Sequence, residues 1–277
     1  MDPFISIVTV SLNAAATIED TIASVAMQSF NFDIEHICVD GGSSDGTRQI
    51  IDRWAERSAR LRRIFEPDSG IFDAMNKGLR VARGEYVLFL NADDFLASRS
   101  ALATAMRGLN PGACDNPDLI AGNVRMGRLG RRGFWRHRRV PTLLGRLPGL
   151  FAVHQGKVLK RRMLEQIGGV NSRLRLASDV TLYYDLERNF RLTMRRVDED
   201  LTFMRAGGAA NAGLRAVLLG SIEIFRHLVP IHGVAKSVAM VTVKSLQSLS
   251  ELRYGKCPHD RWFLDAIVNS RISAQGG

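Results

Sequence analysis

Four short apolar runs, separated by segments with helical spacing, occupy the first ninety residues, and this alternation most limits the possible folds. Residues 5–10 (Ile-Ser-Ile-Val-Thr-Val), 36–39, 61–65 and 86–90 (Tyr-Val-Leu-Phe-Leu) are too short for helices and rich in β-branched or aromatic residues. Between them, Ile18, Ile22 and Val25, then Ile50, Ile51 and Trp54, then residues 72–81 recur at helical spacing. Strand and helix units of this length predict an α/β fold with a mainly parallel central sheet flanked by helices. Ligands of such sheets collect beyond the carboxyl ends of the strands. Asn13, residues 40–45 and residues 91–94 each follow a strand, so they form one expected neighbourhood.

The regular pattern ends near Asn110-Pro111-Gly112. Residues 153–159 and 192–203 read as further strands and residues 179–189 as a helix. After Gly207-Gly208 two amphipathic helices are expected. The first carries Leu214, Leu218, Ile222, Phe225 and Val229 on one face, with Arg215, Glu223 and Arg226 opposite. The second carries Val234, Val238, Val241, Leu249 and Leu252, with Lys236, Lys244 and Gln247 opposite. The reading therefore divides the chain into 1–110, a ligand-binding half; 111–206, a second half of the same domain; and 207–277, a helical extension.

A net charge of +10 points to an anionic partner, whether phosphate-bearing substrate, nucleic acid or lipid headgroup. Much of the excess is arginine between Arg125 and Arg162, which reads equally as a solvated loop or a binding surface. Nucleic acid is not the expected partner, because no RNA- or DNA-binding motif or interleaved aromatics accompany the cluster. Cys38, Cys114 and Cys257 show neither zinc-ligand spacing nor an even disulfide framework. The first apolar run lacks a basic flank and reads as a strand, not a signal peptide. No run approaches the roughly 18 apolar residues of a spanning helix. The expected location is cytoplasmic.

Asn91-Ala92-Asp93-Asp94 directly follows the clearest strand. Adjacent carboxylates there need a cation or hydrogen bonds. A hard divalent ion, Mg2+ or Mn2+, shared with phosphate oxygens meets that need, and an N-cap for a helix from Ser98 meets it equally. Val39-Asp40-Gly41-Gly42-Ser43-Ser44-Asp45-Gly46-Thr47 offers glycines for close backbone approach and carboxylates for a base or ribose, and can also cap the following helix. It carries neither the dinucleotide nor the P-loop fingerprint.

Taken in order, Ser11-Leu12-Asn13, the 39–47 loop, Glu66-Pro67-Asp68-Ser69-Gly70-Ile71-Phe72-Asp73-Ala74-Met75-Asn76-Lys77-Gly78 and Leu90-Asn91-Ala92-Asp93-Asp94 resemble the family 2 inverting glycosyltransferases of the GT-A fold. The nearest likeness is to bacterial enzymes of exopolysaccharides such as colanic acid. The similarity extends through His154-Gln155-Gly156, Ala177-Ser178-Asp179 and Gly207-Gly208. It implies a nucleotide diphosphate sugar donor held by Val10, Ser11, Asn13, Asp40, Gly41, Ser43, Asp45, Asp68, Lys77, Asn91, Ala92 and Asp93, with Asp40 on the base. Asn91 replaces the first aspartate of the family's D-x-D, so metal ligation falls to Asp93, with Asp94 as helper. Asp179 matches the catalytic base, and as a residue alone reads also as an N-cap. The implied acceptor is a saccharide or lipid-linked saccharide.

His154 reads as a packed polar residue and Trp54 as core. A nucleotidyltransferase is the alternative enzyme class, disfavoured by the lack of a glycine-rich N-terminal loop with a basic residue for triphosphate. The C-terminal helices are expected either to contact the inner membrane face peripherally or to pack on the domain.

Overall fold

Strands Ile5–Ser11 (β1), Ile34–Asp40 (β2) and Tyr86–Phe89 (β4) are buried at every position, as central strands covered on both faces should be. Their polar side chains therefore need partners from the chain itself. Glu35 accepts from Ser6 Oγ and from the Arg83 amide, each at 2.6 Å, and His36 Nε2 lies 2.9 Å from Thr9 Oγ1.

This computed structural model describes residues 2–127, 135–138, 154–205 and 214–251. With Leu61–Phe65 (β3), the strands stand in parallel order β3-β2-β1-β4. Helices Ile18–Ala26 (α1), Thr47–Arg57 (α2) and Ile71–Val81 (α3) make the crossovers. β1 therefore connects to one side and β4 lies on the other, which opens a crevice at their carboxyl ends. α3 lies close on the sheet because Gly78 carries no side chain, and a Cβ there would stand 2.3 Å from Val8 Cγ1.

Phe95–Leu96 (β5), Ala101–Ala105 (α4), Leu119–Gly127 (β6), Trp135–Arg138 (β7), a 3-10 turn at His154–Gly156, Lys157–Lys160 (β8), Arg161–Gln166 (α5), Ser178–Asn189 (α6) and Met194–Arg205 (β9) follow. Beyond β4 the sheet continues β8-β6-β9-β5 with β7 beside β6, and the pairing becomes mixed. One sheet thus runs through both halves of the chain. Val8, Val10, Met75, Leu79, Leu164 and Leu186 fill the core on one face; Ile5, Ile7, Leu88, Leu102 and Ile120 fill the other.

Leu214–His232 (α7) and Val234–Glu251 (α8) form a hairpin turned at Gly233, whose φ of 75° suits glycine. Ile224 and Leu228 of α7 pack on Val180 and Tyr184 of α6, and Val217 is buried with them, a stripe set around the helix from the expected one. Leu218 and Ile222, expected on one apolar face with Leu214, Phe225 and Val229, are exposed, as are Leu219, Val234 and Val238. Arg215 and Arg226 are not opposite Leu218 and Ile222 but on the same side. Leu252 and the side chains of Lys244, Gln247 and Leu249 lie outside the described residues.

The arginine-rich stretch is described in part. Arg125 pairs with Asp200, Arg161 Nε donates to the Gly84 carbonyl at 2.8 Å, and Arg162 lies 3.5 Å from Asp118. These three fasten the chain to itself; Arg128, Arg131, Arg132 and Arg139 are outside the described residues, and of Arg136 and Arg138 only the backbone is described.

Candidate active site

The loops after β1 and β2 are stitched together by side chains. Asn13, at φ 51°, takes a left-handed conformation that asparagine tolerates better than most residues. Its amide donates to Ser43 Oγ at 2.7 Å, and its Oδ1 accepts from the Ser44 amide at 2.9 Å. Asp45 accepts from the Ala15 amide at 3.0 Å and from the amide of Thr47, the first residue of α2, at 3.1 Å, so it ties the loops together just before the N-cap Gly46.

Asp40 is fully buried at the end of β2. Its carboxylate accepts from Ser11 Oγ at 3.1 Å, the Gly42 and Ser43 amides at 3.2 and 2.9 Å, Arg48 Nε at 2.8 Å, and Ser43 Oγ. Burial opposes ionisation, but Arg48, Ser43 and Gly42 outweigh it and hold the carboxyl below its usual range. These bonds leave Asp40 facing the loop it shapes, while Gly42 and Ser44 face out. The side chain of Val10 lies in the core and that of Ala92 is buried beside Ile18 and Ile22.

Gly41 meets Asp68 of the β3–α3 loop: a Cβ on Gly41 would stand 2.0 Å from Asp68 Oδ2. Two segments singled out separately in the sequence are thereby brought into contact. Lys77 on α3 is turned to the same loop. Its ammonium donates to the Pro67 carbonyl and lies 3.8 Å from both Glu66 and Asp73.

The acid turn does not cap a helix. It leads into β5, and α4 begins later behind Ser100. Asp94 is buried, and accepts from Gln155 Nε2 at 2.9 Å and from the Arg205 amide at 3.1 Å. Burial, then the adjacent charge of Asp93, push its carboxyl well above the usual range. Asp93 is half-buried and is also raised by burial, against the charges of Arg205 and His154. Arg205 reaches Asp20 at 2.5 Å and lies over the Phe95 ring at 5.4 Å. Gln155 and Arg205 were not identifiable as site residues from the sequence. Their only signals were the His154-Gln155-Gly156 triplet and the position of Arg205 before Gly207-Gly208.

Asp179 is not an N-cap either: Ala177 holds that position in α6, and Asp179 lies in the first turn. His154 is buried, as expected of a packed polar residue, and its Nδ1 lies 3.4 Å from Asp179 Oδ2. The turn before α6 is held by Glu223 of α7, whose carboxylate accepts the amides of Arg175, Leu176 and Ala177 at 3.0, 2.9 and 3.1 Å.

Among the described residues, no group of three His, Cys, Asp or Glu side chains converges on one metal position. The oxygen donors at the acid turn nevertheless fit a hard divalent ion that takes most ligands from phosphate and water. Asp93 supplies a carboxylate, and Asn91 Oδ1 is buried without a hydrogen-bond partner. His154 Nε2, Gln155 Oε1 and Arg205 Nη1 are likewise buried and unpartnered, so the orphaned polar atoms concentrate around this turn.

The sheet order and the acid turn at the carboxyl end of β4 give the architecture of the GT-A glycosyltransferases. TarS of S. aureus (residues 1–349) superimposes with a TM-score of 0.60, covering 91% of this chain and 73% of that one at 19% identity. The mannosyltransferase PcManGT of Pyrobaculum calidifontis, solved with GDP-Man and Mn2+, gives 0.61, covering 99% and 81% at 18% identity.

The chain belongs to glycosyl transferase family 2, whose pattern matches residues 6–174. A PGL/p-HBAD biosynthesis glycosyltransferase of Mycobacterium tuberculosis (strain H37Ra) is 34% identical over 178 residues, 64% of this chain and 67% of the relative. A putative teichuronic acid biosynthesis glycosyltransferase of Bacillus subtilis, TuaG, is 43% identical over 93 residues, 33% of this chain and 36% of the relative. These relatives belong by name to PGL/p-HBAD and teichuronic acid biosynthesis, and neither to the colanic-acid type. No helix among the described residues is long and apolar enough to cross a membrane.

Proposed function

We propose that the chain transfers a sugar, with inversion, from a nucleotide diphosphate sugar to an acceptor hydroxyl. The observation that carries this is the pairing of two unlike acidic centres. Asp93 stands among orphaned polar atoms at the acid turn, and Asp179 stands beside His154 at the start of α6. The solved relatives support the donor class by what they hold, UDP-GlcNAc in TarS and GDP-Man in PcManGT.

In this reading the donor lies across the loops after β1, β2 and β4. Asn13, Ser43 and Asp45 hold the nucleotide cradle in shape, Ser11 and Asp40 support it from beneath, and Gly41 with Asp68 forms its wall. Val10 and Ala92 fill the floor, and Lys77 fixes the neighbouring loop. Asp93, with Asn91 and supported by Asp94, would hold a bound Mg2+ or Mn2+, which would neutralise the departing diphosphate.

Asp179 takes the acceptor's proton as its oxygen bonds to the anomeric carbon, and the C–O bond to the diphosphate breaks with its electron pair. The products are the glycoside, with inverted configuration, and the nucleoside diphosphate. The acceptor is a saccharide, and we place it on a lipid in the assembly of bacterial surface polysaccharide. Reaction then occurs on the cytoplasmic side, where nucleotide sugars are made.

The test is a panel of UDP- and GDP-sugars incubated with the protein and Mg2+ or Mn2+, with product analysis. Release of nucleoside diphosphate, lost in Asp93→Ala while the fold persists, is expected. Pyrophosphate as the product, or full turnover by Asp93→Ala, overturns the reading.

A further inference from the structure

We propose that the outward face of α7 docks the protein on an anionic lipid bilayer. α7 is apolar on two sides, and only one of them is used. Ile224 and Leu228 are buried against α6 and Val217 is buried too, whereas Leu218, Leu219 and Ile222 leave about half of their surface in water, at 55%, 47% and 47%. Single exposed aliphatic residues are ordinary, but three within five positions on one helix face form a patch.

The charges around the patch select the partner. Arg215 and Arg226 are exposed at its two ends on the same helix face. Glu223 is the only acidic residue of α7, and its carboxylate is turned inward to the backbone amides of residues 175–177. The outward face is therefore apolar between two cations, with its one acid withdrawn. An in-plane helix of this kind buries its apolar side at the headgroup boundary and sets its cations beside anionic lipid.

A second copy of the chain fits less well. A two-fold antiparallel pairing centred on the patch would set Arg215 of one copy against Arg226 of the other, and like charges would meet at both ends. Spanning is excluded for α7, since no helix among the described residues is apolar enough over its length. The docking surface is independent of which donor the enzyme uses.

The full chain is mixed with vesicles of phosphatidylcholine, and with vesicles also containing phosphatidylglycerol, and subjected to flotation. Wild type should float with the anionic vesicles, less so as salt is raised, and little with the neutral ones. Leu218→Ser with Leu219→Ser and Ile222→Ser should lower partition by about tenfold or more, given the apolar groups removed. Arg215→Gln with Arg226→Gln should lower it for anionic vesicles only. Donor hydrolysis in solution should persist in both variants, which separates lost docking from lost chemistry. Wild type that stays with the unbound fraction on anionic vesicles overturns the proposal. So does undiminished flotation of both variants, or a wild-type dimer that the serine variant dissociates without any vesicle binding.

Discussion

Gly41 shows how a single missing side chain lets two loops meet, at the place proposed to wall the donor. Asp68 occupies the space a Cβ would take, at 2.0 Å from its Oδ2, so any side chain at position 41 must push that carboxylate aside. The clash is with the end of a partly exposed side chain held by the Gly70 amide at 2.9 Å, so Gly41→Ala should displace it with little loss of stability. The expected result is a raised KM for donor with kcat nearly unchanged. Asp68→Ala should raise KM similarly, and the double variant should be no worse than either, because both remove one wall. Additive losses would show that the two residues act separately. Asp179→Asn tests a different chemistry, since it preserves shape but cannot accept a proton. Transfer should fall by about 10²–10⁴-fold while donor affinity, measured by calorimetry, is retained. An unchanged rate would return Asp179 to a structural role in α6.

Glu223 links two helices, and its effect belongs to that pairing. Its carboxylate holds three amides immediately before α6, and Asp179 lies two residues beyond the last of them. Glu223→Gln keeps one acceptor oxygen but loses the charge, so the turn should loosen and kcat should fall severalfold. Because Asp179 is displaced and not removed, the pH profile should broaden or shift with it. A loss confined to thermal stability, with kcat and pH profile intact, would make Glu223 only a helix anchor.

The first four strands and three helices were legible because each apolar run is bounded by its own turn residues. The second half was less so. β6 runs through Ala121-Gly122-Asn123 with a register irregularity, and its pairing depends on β8 and β9 far along the chain. The apolar arc of α7 is wider than one face, so its sequence does not say which part is covered; α6 decides that by taking Ile224 and Leu228. At the site, the acid turn and the Asp40 loop are visible as residue types after strands, and Asp179 only through the family likeness. Gln155 and Arg205 are not, since Gln155 meets Asp94 through its side-chain amide and Arg205 through its backbone amide only once the chain is folded.

The molecule as a whole carries an electrostatic cost at this site that ligand should relieve. Asp93 and Asp94 are both raised from an ordinary value of 3.8, chiefly by burial. The folded state therefore keeps these protons to higher pH than the unfolded chain does. Stability contributed by the pair is complete below the ordinary carboxylate value and declines as pH rises through the raised one. At neutral pH the ligand-free protein should gain from losing a charge, so Asp93→Asn should melt higher than wild type and show a flatter fall with pH. Mn2+ with a nucleoside diphosphate binds the charged form and should reverse the order. At a hundred times its Kd such a ligand adds about 2.7 kcal/mol, and a chain of this size gains about 2–4 °C per kcal/mol. Wild type should therefore rise by about 5–10 °C with the pair of ligands, lose the rise in chelator, and overtake Asp93→Asn, whose own rise should be small. Equal shifts in the two proteins would mean that Asp93 holds no metal, and a variant less stable than wild type without ligand would mean that the buried carboxylates are already neutralised by the chain.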